Sequence, residues 1–360
     1  MAVPKDSPNR IHVIAHAGGT RQDLGRLGFA DAAALLAHIR EHLPAGYRLT
    51  AAERFFEVVA DDARGGRRDD TARIKDLQAA INDARTLAIV SANGGAYLTR
   101  ILPHVDFSPL ARRRDPFWAF GFSEITTLVN LVASYRCGRG VYWLCPNFLG
   151  WKIRPREGAL DAIGEFWRTL PAYINGDLAG LAKPAPGCPI PSGGGGRTRT
   201  PKTLNYLDYG PIQGILATGR AKSGTVRLIG GCLSVLCAFL TGGIGKRLRP
   251  DGKWLALEDI HEDLYRLDRY FAALKLAGWL DRIAGLLLGD FHTKTERDQH
   301  AALLELLRYH LPPERKLPVI TTRSFGHVWP MVPLPLNQPL QMDVRGRSVT
   351  IASPGRAPVP

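Results

Sequence analysis

Trp118-Ala119-Phe120-Gly121-Phe122-Ser123-Glu124-Ile125-Thr126 begins as an apolar, β-prone run. It meets Gly-Phe-Ser-Glu and continues into Ile-Thr-Thr-Leu-Val-Asn-Leu-Val, which can form a helix. A serine at a sharp strand-to-helix turn has its hydroxyl pushed out of the fold. The N–H groups of the helix start then point at the same spot, which is the physics of a nucleophile elbow. The usual hydrolase elbow has a second glycine two residues after the serine, and Ile125 stands there instead. Ser123 as a simple cap of the following helix is the competing reading.

Upstream of this turn, strand and helix patterns alternate. Ile11 to Ala17 reads as a buried strand, Gly18-Gly19-Thr20 as a turn, and Leu27 to His42 as a helix. Tyr47 to Thr50 reads as a second strand and Arg64 to Asp70 as a polar loop. A helix over Thr71 to Asp83 and a strand over Thr86 to Val90 lead to Ser91-Ala92-Asn93-Gly94-Gly95. A further helix is expected over Tyr97 to Leu102. This alternation predicts a parallel α/β layer structure, with function gathered at the C-terminal strand ends. Gly94, Gly95 and Ser123 fall at such ends.

Downstream, Pro184 to Arg199 carries four consecutive glycines and reads as a loop that cannot pack a core. Val226 to Ser234 reads as strand, tight turn, then helix, and strand patterns follow at Trp254 to Leu257, Ile283 to Gly289 and Val319 to Thr322. Helical patterns cover Tyr265 to Ala277 and Asp298 to His310, and residues 342–351 alternate like an antiparallel pair. The expected organisation is an N-terminal α/β domain over 1–150, a Pro/Gly-rich linker or insertion over 151–225, and a smaller C-terminal α/β domain over 226–360.

The chain has 360 residues, 45% hydrophobic and 22% charged, which suits a globular protein of two domains. No apolar run reaches membrane-spanning length and the first residues lack an apolar signal core, so a cytoplasmic protein is expected. The charge of +14 favours anionic partners. Its basic residues sit in separate clusters with no nucleic-acid-binding motif, which argues against nucleic acid as the partner. Cys137, Cys145, Cys188, Cys232 and Cys237 match no zinc spacing and read as reduced, mostly buried thiols. Gly242 to Arg247 lacks the spacing of a phosphate loop, and His261 has no second histidine one helical turn away, so neither cofactor nor metal is expected.

A serine nucleophile needs a base, and the base needs an acid to hold its tautomer. Among ten histidines, His300 and His310 read as helix-surface residues, whereas His327 follows a glycine at a strand end in a loop rich in Pro and Trp. Glu258 ends an apolar strand, where it can orient a base or cap the next helix, and Asp259 and Glu262 compete for the role.

Four segments together resemble the LD-carboxypeptidase family, serine peptidases that include the microcin C immunity proteins. They are Gly121 to Thr126, Gly230 to Ser234, Leu257 to Arg269 and Phe325-Gly326-His327. The resemblance implies Ser123 as nucleophile, His327 as general base and Glu258 as orienting acid. It implies an oxyanion hole from the N–H of Glu124 and a glycine at Gly94-Gly95. It further implies a small peptide or muropeptide substrate cut beside its C-terminal residue, typically at an L–D bond, with no metal or cofactor, and a homodimer.

Departures from the family pattern surround these positions. Asn93-Gly94-Gly95-Ala96-Tyr97 replaces Arg-Gly-Gly-Tyr-Gly, Cys232 replaces an Asn, Glu124 an Asp, His16 a Pro and Asn337 a Gly. They fall on the pocket rim and oxyanion loop, so they bear on substrate more than on hydrolysis. Two alternatives stand beside muropeptide hydrolysis: cleavage of peptide–nucleotide or aminoacyl–nucleotide antibiotics, and a catalytically silent binding protein.

Overall fold

The structure is a computed structural model. It describes residues 8–17, 21–53, 56, 66–152, 159–177, 181, 207–240, 243, 245–293, 295–296, 298–311 and 314–353. Contacts divide the chain into two units, Met1–Leu181 and Ala182–Pro360.

In the first unit the elements run β1 (Arg10–Ile14), α1 (Arg21–Leu27), α2 (Ala32–His42), β2 (Arg48–Ala51), α3 (Gly66–Asn82), β3 (Thr86–Ser91) and α4 (Pro109–Arg112). They continue as β4 (Phe117–Gly121), α5 (Thr126–Ala133), β5 (Gly138–Tyr142), α6 (Pro146–Lys152) and α7 (Ala159–Ile174). The five strands pair in parallel in the order β2-β1-β3-β4-β5. Their apolar runs, such as Ala88-Ile89-Val90 and Phe117 to Phe120, suit strands covered on both faces. The chain order reverses between β1 and β3, and the C-terminal ends of β1, β3 and β4 are where a ligand site is favoured.

Two glycines let α5 approach β5. A methyl group on Gly138 would lie 1.8 Å from the Val132 carbonyl oxygen, and one on Gly140 1.9 Å from that of Val129. Gly140→Ala is therefore expected to lower stability by about 1–3 kcal/mol through overpacking. Gly25, on α1 with nothing within 4 Å, is the control. Gly25→Ala should raise stability by about 0.5–1 kcal/mol. Urea denaturation of the two variants checks both signs.

The second unit runs β6 (Ile212–Thr218), β7 (Gly224–Val226), β8 (Leu228–Cys232), α8 (Leu233–Leu240), β9 (Trp254–Ile260), α9 (Leu264–Leu276) and β10 (Gly285–His292). It ends with α10 (His300–His310), β11 (Val319–Thr322), β12 (Leu334–Pro335), β13 (Leu340–Arg345) and β14 (Ser348–Ala352). Its sheet has the order β7-β13-β14-β6-β11-β10-β9-β8. Strands β8 to β11 are parallel. The β7, β13, β14, β6 side pairs antiparallel, and β6 joins β11 in the same sense.

Several elements differ from the sequence reading. The expected Leu27–His42 helix is two helices, because Gly28 turns at φ +90° and Asp31 caps α2 by accepting the Ala34 N–H at 2.8 Å. Residues 66–70 are the first turn of α3 rather than loop, and Asp70 pairs with Arg73 and Arg100. Tyr97 to Leu102 is not a helix. Tyr97 has φ +70°, and only a 3₁₀ turn forms, over Leu102–His104. The stretch 151–225 supplies α7 to the first unit and β6 to the second. Its four-glycine run and Cys188 lie outside the described residues, as do Gly18 to Thr20. Cys137, Cys145, Cys232 and Cys237 are free thiols. Among the described residues no helix is long and apolar enough to cross a membrane.

Candidate active site

Ser123 lies where β4 ends. Gly121 at φ +156° and Phe122 in extended conformation bring the chain to Ser123, which sits at φ +58°. A 3₁₀ turn over Ser123–Ile125 then feeds α5. A non-glycine residue in the left-handed region at a strand–helix junction is the strained elbow that the sequence suggests. Gly121 is needed there, since a methyl group on it would meet the Ile125 side chain at 2.7 Å. The serine side chain does not cap the helix; its carbonyl accepts the Thr126 hydroxyl at 2.6 Å instead. The Ser123 N–H donates to the Tyr142 hydroxyl oxygen at 3.0 Å. Sequence reading missed Tyr142, although it pairs with Gly121 across β4 and β5.

Gly94 lies against the elbow. A methyl group on it would stand 3.2 Å from the Ser123 Cβ. Gly95 turns at φ +142°. The Glu124 carboxylate is buried and accepts the Thr99 N–H at 2.8 Å. Burial pushes the Glu124 carboxyl up, against that bond and the nearby Arg73 charge. The side chain thus anchors the segment after Tyr97, while its backbone belongs to the elbow turn.

In the second unit β9 continues past Glu258 to Ile260, so Glu258 sits inside the strand and is fully buried. It caps no helix. The His327 Nδ1 lies 2.8 Å from Glu258 Oε2. The two competitors are engaged elsewhere. Asp259 accepts the N–H of Ser234 at 2.7 Å and of Ile260 at 2.9 Å, and Glu262 faces Arg266 at 3.5 Å. Gly326, at φ +122°, explains how His327 approaches. A methyl group there would stand 2.7 Å from the Asp290 Cβ and 3.2 Å from the Glu258 Cβ.

Burial by itself lowers the His327 pKa, but the charge and hydrogen bond of Glu258, helped by Asp259 and Asp290, outweigh it and hold the imidazole above its ordinary range. Burial and Glu258 push the Asp259 carboxyl up to about 6. Asp290, unremarked in the sequence, pairs with His292 Nδ1 at 2.6 Å and its N–H donates to the Phe325 carbonyl at 2.9 Å. His300 is half-buried and His310 buried: His300 Nε2 lies 2.7 Å from the Gly289 carbonyl oxygen and His310 Nε2 2.8 Å from Asp268.

For a metal, the described residues bring His38, Glu41 and His42 together on α2, with ligand atoms within 4.8 Å of one another. None of these belongs to the elbow, the 94–97 turn or the Glu258–His327 pair. The His261 and His292 rings meet edge to face at 5.7 Å, His292 coming from the neighbouring strand.

The LD-carboxypeptidase N-terminal domain matches residues 11–140, and the LD-carboxypeptidase C-terminal domain matches residues 225–342. A Streptomyces coelicolor protein bearing the name carboxypeptidase is 30% identical over 285 residues, 79% of this chain and 78% of its own length. A Bacillus subtilis protein named as a murein peptide carboxypeptidase is 25% identical over 284 residues, 78% of this chain and 76% of its own. The solved structure of the microcin C7 self-immunity protein MccF, in an inactive mutant apo state, superposes with a TM-score of 0.64 at 17% identity, covering 98% of each chain.

Proposed function

The chain belongs to the LD-carboxypeptidase family and is a serine-type carboxypeptidase, and from that premise we propose that it hydrolyses the L–D amide bond of a muropeptide, releasing terminal D-alanine. The observation that carries the catalytic part is the pair of a left-handed Ser123 at a strand–helix elbow and a buried Glu258 bonded to His327 at 2.8 Å. In this reading Glu258 holds the proton of His327 on Nδ1, which leaves Nε2 to take the Ser123 proton. The hydroxyl oxygen attacks the scissile carbonyl. The N–H groups of Glu124 and of Gly94 or Gly95 receive the oxyanion. His327 then protonates the leaving amine of D-alanine, and water repeats the sequence on the acyl-enzyme. The scheme uses no metal or cofactor.

The muropeptide assignment is supported by the Bacillus subtilis relative's name and by the basic balance of +14, which suits an anionic peptide fragment. On the family resemblance we further assign a cytoplasmic location and a homodimer. The likeness to MccF, also solved in complex with aspartyl sulfamoyl adenosine, favours one second reading, cleavage of an aminoacyl–nucleotide antibiotic. Mass spectrometry of an L–D tetrapeptide and of an aminoacyl-sulfamoyl adenylate, each incubated with the protein, separates the two. Loss of one D-alanine from the first with the second intact is the expected result. The opposite pattern replaces the muropeptide assignment with the antibiotic one.

A further inference from the structure

We infer that Arg73 is a positioning residue for this reaction, its buried guanidinium tying the carbonyls of His16 and Tyr97 together so that the 94–97 turn is fixed beside Ser123. The inference rests on the reading of Ser123 as nucleophile and of that turn as part of the oxyanion hole.

Arg73 is 1% exposed, yet it carries a permanent charge. A buried guanidinium persists only where its donors find acceptors. Here they find backbone at the ends of two segments. Nη1 donates to the His16 carbonyl at 2.7 Å and to the Tyr97 carbonyl at 3.2 Å. Nη2 donates to Asp70, one helical turn back on α3, in a short contact. Asp70 also accepts from Arg100, at 3.1 Å from Nε and 2.9 Å from Nη2. The Arg100 guanidinium lies 4.7 Å from the centre of the Tyr97 ring. The Ala96 N–H donates to the Ala17 carbonyl at 2.6 Å, closing the same clasp from the backbone side.

The turn needs such a clasp. Tyr97 holds φ +70° and Gly95 φ +142°. Residues in sparsely populated conformations persist only where the surroundings over-determine them. The turn also departs from the family pattern, since Ala96 and Tyr97 stand where Tyr and Gly are usual and His16 stands for a Pro. Its conformation therefore has to be imposed from outside. Helix α3 does this with Asp70, Arg73 and Asp76 on one face. Asp76 faces His12 at 3.1 Å and His16 at 3.0 Å, which steadies the carbonyl that Arg73 grips. A planar guanidinium can serve two carbonyls and a carboxylate at once, and an ammonium on a lysine stem cannot hold that geometry.

The test compares wild type, Arg73→Lys, Arg73→Ala and Asp70→Asn. Tetrapeptide turnover, Ser123 labelling by a fluorophosphonate and thermal melting are measured for each. Arg73→Lys should lower kcat about 10- to 100-fold, as misplaced oxyanion donors do, with KM within about twofold. Millimolar guanidinium should restore part of the Arg73→Ala loss. Asp70→Asn, at a half-buried position away from the turn, should show the same kcat-only defect at smaller size and guards against a variant that fails to fold. Folded Arg73 and Asp70 variants with wild-type kcat would overturn the inference. So would losses that track the unfolded fraction and ignore guanidinium. Wild type that neither cleaves the peptide nor is labelled at Ser123 would overturn the elbow reading itself, a result distinguishable from both.

Discussion

Ser123→Gly is expected to abolish turnover and, in the same protein, to raise stability. The activity loss follows from the assigned role. Without a nucleophile, the hydroxyl's share of the rate is gone, and kcat/KM should fall by about 10⁴–10⁶. The stability gain follows from the backbone. Ser123 sits at φ +58°, where a Cβ crowds the following carbonyl at a cost of about 1–2 kcal/mol. Glycine relieves that crowding, and its greater freedom in the unfolded chain offsets about 0.4–1 kcal/mol of the relief. A net gain of up to about 1.6 kcal/mol remains. Ser123→Ala separates the two effects, because alanine removes the hydroxyl and keeps the Cβ. It should match the glycine variant in lost activity and match wild type in stability. Turnover retained by either variant sinks the nucleophile assignment. A glycine variant less stable than the alanine one sinks the account of strain, leaving the chemistry untouched.

The elbow was legible because its signal is local. An apolar strand, a glycine two before the serine and an apolar helix after it occupy adjacent residues, and the left-handed turn at Ser123 follows from joining them. The same holds for the parallel strands of the first unit, whose apolar runs announce burial on both faces. The Glu258–His327 contact joins residues 69 apart, and no periodicity carries such a pairing. Only the family resemblance joined the two. What sequence reading missed is of that non-local kind. Arg64 to Asp70 read as a polar loop because runs of charged residues usually are solvated. Arg73 went unremarked because nothing in the sequence distinguishes a buried arginine from an exposed one. Tyr142 becomes visible only once β5 is laid beside β4. Tyr97 to Leu102 read as a helix on composition, and the tertiary demand for a left-handed residue at Tyr97 overrode it.

Glu258→Gln is expected to lower kcat by about two to four orders of magnitude and to move the acidic limb of the pH–rate profile to lower pH. His327 works as a base only when neutral, so activity rises as pH climbs through its pKa. In wild type that pKa is raised above the ordinary 6.5, since Glu258 first, then Asp259 and Asp290, outweigh burial. Removing the Glu258 charge leaves burial opposed only by the two aspartates, so the limb must shift downwards. Asp259, at about 6, loses a repulsive neighbour in the same variant and its own titration also moves down. The limb is therefore a property of the coupled group and is read as an apparent value. Stability carries the opposite trend. A histidine that binds its proton more tightly when folded stabilises the fold fully below 6.5, and that contribution fades as pH rises through the raised value. Wild type should thus be most active where the Glu258–His327 pair stabilises it least. Turnover and urea midpoints, measured for wild type and Glu258→Gln from pH 5 to 9, test both slopes. An acidic limb that stays in place in the variant means that some group other than His327 controls the rate.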